Sequence, residues 1–169
     1  MPYAATHLLS GIIASDVIRD YAVKDRKSFP RKLVLLCGIF SLLPDIDIVA
    51  YYIGHLLFGI QRSAIHRIYT HTFMLPVLLL LATVVLYKTG NRKAWKIMAL
   101  ASLGTFLHIS LDFLICGYVN LYPFSSAPLG LALVPAGEFG AAVLQGIDAA
   151  ILVSWLVYEE TKHKIRDYI

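Results

Sequence analysis

The stretch Thr70–Tyr87, THTFMLPVLLLLATVVLY, decides how the rest of the chain is read. After His71 it holds no charge and no polar side chain other than threonine and its terminal tyrosine. At about 1.5 Å rise per residue, a helix of this length crosses most of the hydrocarbon core of a bilayer. At its start stand His66, Arg67, Thr70 and His71, so the most lipid-like segment begins beside the most metal-like chemistry.

The composition agrees with a lipid solvent. Of 169 residues, 58% are hydrophobic and 15% charged, with a mean hydropathy of +0.68. Ordinary soluble domains carry about a quarter charged residues, and several apolar runs of about 18 residues do not suit a soluble α-helical core. The chain reads as a single-domain integral membrane protein. Its net charge of +4 comes from Lys and Arg in short clusters between apolar runs, which fits membrane topology and excludes a nucleic-acid surface. Cys37 and Cys116 lie inside apolar segments, without zinc-knuckle spacing. The segment after Met1 lacks the basic start and small-residue cleavage site of a removable signal peptide, and is read as part of the mature protein.

Helical segments are predicted over 4–23, 33–54, 70–88, 97–118 and 139–159, giving an all-α polytopic bundle of about five helices. The first is the weakest span, short or partly interfacial, because Asp16, Arg19 and Asp20 interrupt it. The successive connections carry five, two, four and no Lys or Arg, and the C-terminal tail adds Lys162, Lys164 and Arg166. The positive-inside rule then puts 24–32, 88–96 and the C-terminus in the cytoplasm, within an inner-membrane protein whose N-terminus lies outside. No segment shows strand-like alternation. The 119–138 connection, rich in Pro, Gly and Ser, reads as an ordered loop whose Tyr122-Pro123-Phe124-Ser125 is an interfacial aromatic anchor or a lid.

Ionisable groups at membrane depth are expensive, and are paired or functional. This topology brings Asp45, Asp47, His71, His108 and Asp112 to one layer near the outer face, with His7 and His66 at the same end. The topology came from Lys and Arg counts alone, so the shared depth is an independent sign of a site. His108 and Asp112, spaced i,i+4, project from one helical face and can bind one metal or each other. Asp45 and Asp47 would point apart on a regular helix, but Pro44 can open it there. One aspartate would then ligate while the other orients a ligand or bridges to a second ion.

His66 and His71, five residues apart, do not share a helical face. The spacing puts His66 in the approach loop and His71 in the first helical turn. Arg67 suits either a phosphate, held bidentately, or a lipid headgroup. His7 is open between ligand and structural partner. His55 and His163 have unremarkable surroundings, and Asp148, with Asp16 and Arg19, suits interhelical polar contacts.

Together, His7 in THLLSG, Leu43-Pro44-Asp45-Ile46-Asp47, His66-Arg67-x-x-Thr70-His71-Thr72, His108-x-x-x-Asp112 and Tyr122-Pro123-Phe124-Ser125 resemble the YdjM-type family, described as LexA-regulated, membrane-bound, metal-dependent hydrolases. The resemblance covers most of the chain. More distantly, the aspartate, histidine and His-x-x-x-Asp set is similar to one metal site of the zinc-dependent phospholipases C. A second His-x-x-x-Glu pair is missing, so a full trinuclear centre is not expected.

Nitrogen and carboxylate ligands without thiolate suit Zn²⁺, with Mn²⁺ or Fe²⁺ also compatible. The expected activity is hydrolysis of a phosphoester or ester of a lipid-like substrate by zinc-activated water at the non-cytoplasmic face. Asp45 or Asp47, His71, His108 and Asp112 would hold one metal, and His7 and His66 would complete it or hold a second. Asp47, His66 and Arg67 are the expected catalytic residues, Arg67 neutralising substrate charge. The competing reading is a transport or assembly protein with a structural metal.

Overall fold

The computed structural model describes residues 3–61 and 67–162. Among them the fold is all-α, with helices α1 (Ala4–Val17), α2 (Arg31–Phe40), α3 (Asp47–Phe58), α4 (Met74–Lys88), α5 (Arg92–Ile115) and α6 (Glu138–Lys162). α5 is the centre and packs against α1, α2 and α4, while α6 leans on α1.

Local chemistry sets the helix ends. The Asn91 side chain accepts from the Ala94 amide and caps α5, and Gly59, at φ 66°, closes α3 in the left-handed region. α1 runs into a π-helical turn, Ile18–Ala22, where the sequence places Arg19 and Asp20.

The predicted second segment is broken. α2 stops at Phe40, a 3₁₀ turn occupies Leu43–Ile46, and α3 leaves at 50° to α2. Pro44 has no amide hydrogen to continue the ladder, and the Asp45 amide bonds to Leu42 O at 3.1 Å, so the Ser41 carbonyl is released from helical pairing.

Three glycines bring α1, α2 and α5 close together below this break. A Cβ on Gly104 would sit 2.7 Å from Ser41 N and 2.8 Å from Cys37 O. One on Gly11 would sit 2.9 Å from Cys37 O and from Gly38 Cα. The helices approach this closely because those methyl groups are missing.

Two expectations are corrected. The third helix begins at Met74 rather than at 70, so His71 precedes the helix instead of occupying its first turn. The Asn120 amide donates to His71 O at 3.1 Å, and Thr72 forms an isolated parallel bridge with Asn120, pulling this backbone out of helix. The 119–138 connection contains an antiparallel pair, β1 (Val119–Leu121) and β2 (Ser125–Leu129), which alternation did not reveal. Phe124 at its turn is 81% exposed.

Burial is inverted relative to a soluble protein. Among the described residues, fifteen buried side chains are polar and eleven apolar, Pro44 and Pro76 included, whereas Val77, Leu78, Leu81 and Val85 of α4 face outward. A lipid exterior explains this distribution. α5 and α6, with 24 and 25 residues, are long and apolar enough to cross a membrane, and the bent α2–α3 pair qualifies if taken as one span. α4, with 15 residues, is shorter than a full crossing.

Candidate metal centre

The broken helix, the segment before α4 and the last two turns of α5 bring four side-chain atoms together. His71 Nε2 lies 3.3 Å from Asp45 Oδ1, 3.4 Å from Asp112 Oδ2 and 3.4 Å from His108 Nε2. His108 Nε2 lies 3.4 Å from Asp112 Oδ2 and 3.7 Å from Asp45 Oδ1. Ligand atoms tetrahedrally placed about 2.0–2.2 Å from a Zn²⁺-sized ion are separated by about 3.3–3.6 Å, close to these spacings.

The orientation of the two rings is set at their other nitrogens. His108 Nδ1 donates to the released Ser41 carbonyl at 2.7 Å, leaving a lone pair on Nε2 of the neutral ring. Thr70 Oγ1 donates to Asp47 Oδ2 at 2.7 Å, so at 3.0 Å from His71 Nδ1 it accepts that ring's proton. With both rings neutral in these tautomers, both Nε2 lone pairs would face carboxylate oxygens, and a cation among the four atoms would relieve their mutual repulsion.

His71, His108 and Asp112 are 0–1% exposed, whereas the Asp45 side chain is 21% exposed. Among the described residues, Asp45 Oδ1 and both Asp112 oxygens are buried without a hydrogen-bond partner, as are both ring nitrogens of His7. His7 stacks on His108 with ring centroids 3.7 Å apart, and its Nε2 lies 3.7 Å from Asp112 Oδ1. Two overlapping groups that could hold an ion result: Asp45, His71 and His108; and His7, His108 and Asp112.

Asp47 stands behind His71 rather than among the four convergent atoms. It accepts from Thr70 and from the Arg67 amide at 2.8 Å, and its Oδ2 lies 3.7 Å from His71 Nδ1. The two aspartates therefore occupy different positions, Asp45 facing the Nε2 atoms of both rings and Asp47 the Nδ1 side of His71. The Arg67 guanidinium lies 4.7 Å from the Tyr118 ring centroid, on a residue whose φ is 70°. His66 lies outside the described residues. Away from the site, Thr6 donates to Asp148 across α1 and α6, the interhelical contact expected there.

Sequence reasoning missed Ser41 and Asn120. Ser41 orients His108 through its carbonyl, and its hydroxyl donates to His7 O at 2.6 Å. Asn120 Nδ2 donates to the carbonyls of Arg67 at 2.8 Å and Ile68 at 3.2 Å, holding the backbone that presents His71. The helix break at Pro44 was the available signal for Ser41. Nothing in the local sequence marks Asn120.

Fold and site together define an α-helical membrane protein with a buried His/Asp cluster able to hold a metal ion. The family model described as YdjM inner membrane protein matches residues 1–164, and the chain belongs to that family. Neither the comparison with curated proteins nor that with solved structures gives a match.

Proposed function

We propose that the protein is a metal-dependent hydrolase of the inner membrane, acting on a phosphoester or ester of a lipid-like substrate near the non-cytoplasmic face. The observation that carries this reading is the four-atom convergence of Asp45, His71, His108 and Asp112. Zn²⁺ suits the donor set best, with Mn²⁺ or Fe²⁺ as alternatives. When bound, such an ion lowers the pKa of a coordinated water toward ~7 and polarises an ester oxygen.

The chain's own residues prepare that chemistry. Ser41 and the Thr70–Asp47 pair hold both imidazoles with Nε2 inward, and the dry surroundings of His108 and Asp112 strengthen every charge interaction in the cluster. Hydrolysis adds the oxygen of water to the carbonyl carbon or phosphorus and releases the alcohol, which takes up a proton. Arg67 is placed to offset substrate charge once its guanidinium leaves Tyr118. Exposure of Asp45 favours catalysis over a closed structural site, because it gives the cluster one approachable side.

The test is metal analysis of the purified protein. About one divalent ion per chain is expected, and His108→Ala and Asp112→Ala should both lose it. Unchanged metal content in both variants would remove the centre, and hydrolysis with it.

A further inference from the structure

A cavity of about 740 Å³ opens on the approachable side of the cluster. Asp45 forms part of its lining, with Tyr3 and Ala4 before and within α1, Ile48 on α3, Tyr118 beyond α5, and the chain from Ala132 to Leu144. Among the described lining residues Asp45 is the only charged one, and most of the rest of the wall is aliphatic. The volume lies within the range of cavities that enclose a small-molecule ligand.

We infer that this cavity holds the acyl chain of a membrane lipid, with the lipid's ester linkage at the Asp45 end. The inference rests on the hydrolase reading above and names its substrate class. Three observations select this occupant. The described part of the wall offers no cation to an anionic headgroup, so the apolar part of an amphiphile belongs there. The sole charged group among the described lining residues is Asp45, whose carboxylate also faces His71 and His108 in the cluster where a polar linkage would be needed. The α6 residues Gly140, Ala141 and Leu144 line the cavity while Phe139 of the same helix is 73% exposed, so the wall belongs to an element that also meets lipid. Arg67 stands over Tyr118, a lining residue, and is within the same neighbourhood as the headgroup end.

The experiment is photolabelling of the full chain in nanodiscs with a phosphatidylethanolamine carrying a diazirine midway along one acyl chain, with metal content measured on the same samples. Adducts are expected on Ile48, Ala141 and Leu144 as well as on the lipid-facing Leu78 and Leu81. Ala141→Trp should lower the Ile48 and Leu144 adducts roughly tenfold, leaving those on α4 and the metal content unchanged. Ile48→Trp fills the same space from α3 and serves where Ala141→Trp does not fold. Adducts confined to outward helix faces, or cavity adducts unaffected by either folded variant, would overturn the assignment, as would cross-links from Leu144 to a second copy in place of lipid. Cavity adducts on protein without metal would uphold the chain-binding cavity and remove the hydrolase. Metal without cavity adducts would do the reverse.

Discussion

His108 Nδ1 donates to the carbonyl oxygen of Ser41 across 2.7 Å, and that carbonyl is available because the helix carrying it ends there. The break at Leu43–Ile46 thus frees the acceptor that fixes one imidazole and carries Asp45 beside His71 and His108. Distortion of the second span and orientation of a residue on the fifth helix have one origin.

The two aspartates of the break are expected to separate in their effects. Asp45→Asn, which weakens one of the four convergent donors, should cost more metal affinity than Asp47→Asn, which disturbs only the support of His71. Loss of such an outer partner typically costs about 10–100-fold in affinity. Competition with a chelator of known affinity measures both, and equal losses would mean that Asp47 also ligates.

Thr70→Val should resemble Asp47→Asn, because it cuts the hydroxyl relay between Asp47 and His71, whereas Thr70→Ser should retain it. The same chelator titration reads the difference. A Val variant with unchanged affinity would show that the relay does not set the His71 tautomer.

His7→Ala is expected to keep about one ion per chain and weaken its binding, since His7 stacks on the His108 ring and stands 3.7 Å from Asp112 Oδ1, the oxygen turned away from His71 and His108. Metal-to-protein ratios decide this. A fall from two ions to one would place a second ion between His7 and Asp112.

Gly104→Ala should destabilise the bundle by about 1–3 kcal/mol, because its methyl would meet the backbone of Cys37 and Ser41 below van der Waals distance. Denaturant titration in detergent would show the loss. Metal affinity should fall as well, because the Ser41 backbone also holds His108.

At the opposite end of α6, Arg31 Nη1 meets Glu159 Oε2 at 3.1 Å with Glu159 1% exposed. Arg31→Met should cost about 3–5 kcal/mol by leaving the buried Glu159, which also shares a hydrogen bond with Asp16, without that cation, whereas Arg31→Lys, which keeps a positive charge there, should cost less. Unfolding of the three proteins side by side tests this, and equal losses in the two variants would contradict it.

Much of the site was legible because a charged or imidazole side chain stands out in an apolar sequence. Asp45, His71, His108, Asp112 and His7 were each visible for that reason, and the i,i+4 spacing and Pro44 supplied local geometry. The contributions of Ser41 and Asn120 were hidden because both hold backbone or are held through it, and backbone carries no residue-specific signal. The late start of α4 was hidden for the same cause: Thr70–Phe73 is apolar enough for helix, but the backbone pairing of Asn120 with His71 and Thr72 prevails over local propensity. The small hairpin was obscured by the Pro, Gly and Ser that surround and interrupt its strands.

Among the described residues, Asp45 alone of the convergent side chains is open to the surroundings, so the cluster is approached from its side. An ion seated on those four atoms would depart by the route through which an amphiphile arrives, and the later arrival would lock in the earlier. Loading would be ordered, cation first, and exchange of that cation would slow whenever the passage was filled.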